Sequence, residues 1–150
     1  MKNVFDNNDT QEIIGRINNL NGTTQGLWGK MSVSQMLAHC CVSYEFIYEN
    51  IHPPISPLKR FFLKLFVKPF VIGDKPYKKN SRTAPEFMIK EYKDYATEKK
   101  RLVDYLIRTQ ELGGAHFDNK EYRSFGRLNV NEWNTMFYKH LDHHLGQFGV

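Results

Sequence analysis

The apolar residues of this chain recur at intervals of three and four, and no segment alternates convincingly at two, which leaves helices as the material to build with. Thr10–Leu20 places Ile13, Ile14, Ile17 and Leu20 on one side of a short helix that Asn21-Gly22 ends. Ser32-x-x-Gln35 is a capping-box pattern, and the spacing predicts a second helix over Val33–Glu49. His52-Pro53-Pro54 stops it, because each proline removes an amide donor and disfavours helical geometry in the residue before it. Pro57–Pro69 reads as a shorter connecting helix, and Gly73–Pro85 as a polar loop. Pro85–Leu112 is the longest helical candidate, with Met88, Tyr92, Tyr95, Leu102 and Leu106 in sequence and Val103 with Ile107 as a parallel row; Gly113-Gly114 is expected to terminate it. Asn129-x-x-Glu132 opens the last helix. Four principal helices and one connector imply an all-α bundle.

A length of 150 residues suits one domain, 1–150, since domains most often run to about 100 to 150 residues. An aromatic share of 14% exceeds what a disordered chain carries, so the chain is expected to fold unaided. No apolar run is long enough to span a bilayer, and the N-terminal MKNVFDNNDT is too polar for a signal peptide, which makes a cytoplasmic location the expectation. Cys40 and Cys41 are adjacent, which suits neither a disulfide framework nor a zinc knuckle. Both are expected to be reduced thiols, with Cys40 filling the core and Cys41 pointing farther out. The net charge of +5 is a mild excess with many bases spread through Lys59–Lys100, which argues against nucleic acid as the partner. In the connector, Lys64 and Lys68 are four apart among Phe61, Phe62, Leu65 and Phe66. That pattern fits a helix packed on the bundle with snorkelling lysines, or a patch that lies on a membrane surface.

Three of the six histidines fall within KHLDHHLGQF, residues 139–148. On a helix turning about 100° per residue, His140 and His144 share a face with Trp133, Phe137 and Phe148; His143 sits at its margin, and Lys139 with Asp142 lies opposite. Two inward imidazoles need partners, since leaving one unpaired costs roughly 1 to 3 kcal/mol. Backbone or tyrosine groups could supply them, and so could a divalent metal bridging positions i and i+4. No glutamate follows His140, so the zincin protease pattern is absent. His39, near the edge of the apolar arc of the second helix, could be a third ligand or a boundary residue. His52 and His116 fall in loop contexts and are expected at the surface.

Trp28-Gly-Lys-Met-Ser-Val-Ser-Gln-Met-Leu-Ala-His39, Phe125–Trp133 and Lys139–Gly149 together resemble the DinB superfamily, also called DinB/YfiT-like, and within it a branch with a C-terminal KHLDHHLxQFG signature. The resemblance implies an up-down-down-up four-helix bundle and a divalent metal, zinc or nickel, held by His39, His140 and His144. It further implies a metal-dependent S-transferase that adds a low-molecular-weight thiol of the bacillithiol kind to a small electrophile. Gln147 is then the candidate for contacting substrate, and homodimerisation is plausible by the same likeness. Three neutral ligands leave coordination positions open, where an ion can hold a thiol in its reactive, deprotonated form or activate water for hydrolysis. The rival expectation is a noncatalytic bundle stabilised by its metal, serving as a binding or stress-response module.

Overall fold

The computed structural model describes residues 1–49 and 51–150 and is predominantly helical. Helix α1 (Asn7–Asn18) starts three residues before the first predicted position because Asp6 accepts a hydrogen bond from the Asp9 amide and caps it there. Helix α2 (Val33–Tyr48) carries both halves of its capping box: the Gln35 amide donates to the Ser32 hydroxyl, and the Ser32 amide to the Gln35 side chain. From Met36 to Glu45 every residue of α2 is buried. A helix buried all round belongs at the centre of a fold, and α2 is flanked by the two longest helices, α5 (Tyr95–Phe117) and α6 (Val130–Gln147).

Between α2 and α5 in the chain, α3 (Pro57–Phe62) and α4 (Lys68–Ile72) are joined through a widened, π-type turn at Leu63–Val67. Pro69 has no amide to offer the carbonyl four residues back, and the Lys68 amide reaches instead to Leu63, five residues back. The α3–α4 connector packs through Leu63, Val71 and Ile72, while its phenylalanines stay outside the core.

The long helix expected from Pro85 is shorter at its start. Pro85–Phe87 forms one tight helical turn, the chain then runs without regular structure, and α5 begins at Tyr95. Asp94 sets that boundary by accepting from both the amide and the hydroxyl of Thr97. Met88 and Tyr92, which fitted the helical period, are exposed; Tyr92 is 90% accessible. At the other end Gly113, with φ +71° and ψ 164°, lies outside helical geometry, so the long helix breaks there as the Gly113-Gly114 pair predicts, and a short second piece carries α5 on to Phe117. The helix resumes because Phe117 is drawn into the core, where its ring meets Phe5, Trp133 and Phe137. Gly114 is needed at the bend, since a Cβ there would stand 2.8 Å from a Val130 methyl.

A second departure follows that bend. Strands β1 (Lys120–Tyr122) and β2 (Gly126–Leu128) pair antiparallel, with Glu121 opposite Arg127. Three residues are too few for an alternation to register in sequence. The core is shared by Ile13 and Ile17 of α1, Met36, Leu37 and Tyr44 of α2, Leu102 and Leu106 of α5, and Trp133, Phe137 and Leu141 of α6. Among the described residues no helix is long and apolar enough to cross a membrane.

Candidate metal centre

Helix α2 and the second half of α6 meet where His39 faces His140 and His144. Each ring has its Nδ1 engaged by a protein partner. His39 Nδ1 lies 2.8 Å from the Phe87 carbonyl, which can only accept, so the neutral ring carries its proton there and leaves a lone pair on Nε2. His144 Nδ1 lies 2.8 Å from Gln147 Oε1, and the orientation of that amide is fixed because its Nε2 donates to the Trp28 carbonyl at 2.7 Å. His144 therefore also presents Nε2 as a lone pair. His140 Nδ1 lies 3.1 Å from the Ser43 hydroxyl, which can either donate or accept.

The free edges converge. His39 Nε2 stands 2.9 Å from His140 Nε2, and one nitrogen from each of the three rings fits within 4.8 Å of the others. Nitrogens about 2.0–2.1 Å from one tetrahedral ion stand about 3.3 Å apart, so small ring rotations bring this set onto a common cation. His39 has no proton to place between itself and His140. Either His140 donates from Nε2 while the Ser43 hydroxyl donates to its Nδ1, or a cation takes the lone pairs while the hydroxyl accepts. Ser43 suits both arrangements.

Burial sets the charge of the cluster. His39 is 5% and His144 8% accessible, and the turn at Phe87 packs against His39 and His140, its ring edge-on to both. Desolvation holds the His39 and His140 pKa values below the usual imidazole value and pushes that of His144 down to about 3. The three rings are neutral at pH 7, the form that ligates. Neutral nitrogen donors with outer hydrogen bonds to carbonyl, amide and hydroxyl oxygens fit a borderline divalent cation such as zinc or nickel.

The family model described as "Protein of unknown function (DUF1569)" matches residues 2–149. The chain belongs to the DUF1569 family. No curated protein and no solved structure matches it.

Other residues singled out in sequence are placed differently in this DUF1569 chain. Gln147, the candidate for substrate contact, is buried between His144 and Trp28 and orients the His144 ring. Its approach needs Gly29, where φ is +83° and a Cβ would stand 2.5 Å from the Gln147 Nε2. His143 stays outside the triad: its ring lies between those of Trp28 and Tyr77 and lines a cleft of about 280 Å³ with Asp74, Lys139 and Asp142. Lys139, expected on the solvent side, is buried, and its ammonium donates to the Phe70 and Gly73 carbonyls at 2.8 and 2.6 Å. The α4 segment covers that side of α6, which the helical wheel of α6 alone cannot reveal. His52 is largely covered too and pairs with Glu45 at 2.7 Å, whereas His116 is exposed as expected. Cys41 is as buried as Cys40, packed against α5, and burial pushes both thiols well up.

Sequence reasoning missed Ser43 and the Phe87 carbonyl. Ser43 follows His39 by four residues, one helical turn along the same face, so its position was readable. The Phe87 carbonyl carries no side-chain signal, and the expected helix over that stretch concealed it.

Proposed function

We infer that this protein is a DinB-like metalloenzyme whose His39, His140 and His144 hold a divalent cation, zinc or nickel, and that it transfers a low-molecular-weight thiol to a small electrophile. One observation carries the reading: the Nδ1 of each of the three rings is engaged by a protein partner, while the opposite nitrogens crowd together, with His39 and His140 at 2.9 Å. A hydrogen bond from His140 Nε2 can satisfy the His39 lone pair, whereas a cation would take a lone pair from all three rings at once. The DinB-type up-down-down-up arrangement is part of the same reading, supported by the packing of α5 on α1, α2 and α6 and of α2 on α6.

A cation in this setting supplies Lewis acidity, lowering the pKa of a coordinated thiol or water. The chain's own residues prepare the site. Phe87, Gln147 and Ser43 orient the rings, and the Phe46 and Phe87 side chains exclude water around His39. In the transfer itself the thiol proton leaves to solvent, sulfur bonds to the electrophilic carbon, and the leaving group departs with the bonding pair. A second reading, a structural metal in a noncatalytic binding module, draws on the near-complete burial of His39 and His144.

Metal analysis of the purified protein, followed by conjugation assays with bacillithiol and glutathione against a small electrophile, tests both. Stoichiometric metal and turnover lost on chelation support the transferase. Stoichiometric metal with no thiol binding supports the structural role. Equal turnover by the metal-free protein rejects the inference.

A further inference from the structure

The α3–α4 connector is the part of the molecule that the metal centre does not explain. Leu58, Phe61, Phe62, Leu65, Phe66 and Phe70 are all at least 45% accessible, and the Phe62 and Phe66 rings stack on one another at 6.1 Å. Six large apolar side chains on one short stretch form a patch of the kind that soluble surfaces keep covered. Packing onto the bundle, one of the two expectations for this segment, therefore accounts only for its other side.

Charge indicates what covers it. Residues 51–85 contain eight Lys and Arg against one acid, Asp74, a net +7, so the remainder of the chain carries −2 and the whole excess of +5 resides here. Three of these bases are paired, Lys59 with Glu86, Arg60 with Glu121 and Lys68 with Glu132, and subtracting those carboxylates still leaves +4. Lys64 and Arg60 bring their head groups within 4 Å of the space above Gly126, beside a cleft of about 310 Å³ that Phe61 and Ile55 also line. Lys64, next to exposed aromatic rings and outside those three ion pairs, matches the boundary between anionic headgroups and acyl chains. A second copy joined symmetrically through this face would instead set two positive segments against each other.

We propose that the α3–α4 face docks peripherally on an anionic lipid surface, with Leu58, Phe61, Phe62, Leu65 and Phe66 entering the headgroup boundary and Lys64 meeting lipid phosphates. The protein is sedimented with vesicles of phosphatidylcholine alone and of phosphatidylcholine mixed with phosphatidylglycerol. Binding to the anionic vesicles and little to the neutral ones is expected, weakening as salt is raised. The Phe61→Ser, Phe66→Ser double variant, whose side chains are already exposed and whose helicity is checked by circular dichroism, should lose at least about tenfold in partitioning. Lys64→Glu should weaken binding to anionic vesicles by about fivefold or more. Wild-type protein that stays in the supernatant with both vesicles, or a double variant that binds like wild type, overturns the proposal. So does a wild-type dimer that the double variant dissolves without any vesicle binding, which would make a second copy the occupant.

Discussion

Gln147 grips His144 from one helical turn away, its Oε1 2.8 Å from the ring Nδ1 and its Nε2 2.7 Å from the Trp28 carbonyl. A single amide thus fixes the His144 tautomer and ties the end of α6 to the loop before α2. Gln147→Leu keeps the approximate volume and removes both hydrogen bonds. Loss of such an outer partner typically lowers metal affinity by about 10- to 100-fold. Competition titration with a chromogenic chelator measures that, and unchanged affinity would mean that the Gln147 contact does not serve the metal.

His143 and His140 occupy different surroundings despite their closeness in sequence. His140 faces His39, whereas His143 contacts Trp28 and Tyr77 at the edge of the cleft. His140→Ala is expected to abolish stoichiometric metal binding, as are His39→Ala and His144→Ala. His143→Ala is expected to retain it. Metal content of the four variants by mass spectrometry decides the matter; loss of metal in His143→Ala would place that residue among the ligands.

Most of this site was readable because the sequence repeats its geometry locally. Positions 140 and 144 are one turn apart, and the Ser32 and Asn129 capping patterns start α2 and α6 where the structure starts them. What escaped depends on contacts between elements distant in sequence. Nothing near Lys139 announces the Phe70 and Gly73 carbonyls, and nothing around Phe87 distinguishes a single tight turn from the beginning of a helix. The hairpin after α5 was lost for another reason, its three-residue strands being shorter than one full alternation cycle on each face.

Lys139 fastens α4 to α6. Its ammonium satisfies two carbonyls and lies over the Tyr77 ring at 4.5 Å, and desolvation holds its pKa below the ordinary lysine value. Lys139→Met preserves the stem and strands both carbonyls, each at a cost of about 1 to 3 kcal/mol where water cannot reach it. The expected outcome is a lowered urea midpoint with the slope unchanged. A midpoint equal to wild type would show that these carbonyls are readily solvated.

Acid should destabilise the metal-free protein through the histidine cluster. Desolvation depresses the folded-state pKa of His39, His140 and His144, that of His144 to about 3, while the unfolded chain titrates at the ordinary imidazole value of about 6.5. Between those values the unfolded state binds more protons, so stability is complete above about pH 6.5 and falls as the pH drops toward the folded pKa values. Each ring contributes a slope of at most about 1.4 kcal/mol per pH unit within its own window. Urea unfolding from pH 8 down to about pH 4 should therefore give a midpoint that is flat at first and then declines, and His144→Phe should flatten the decline by removing one titrating ring. Saturating zinc binds the deprotonated rings and should raise the midpoint most near neutrality, with the benefit fading as acid competes for the same nitrogens. A midpoint that holds constant down to pH 4 in the metal-free protein would mean that the three rings are far more solvated than their burial implies.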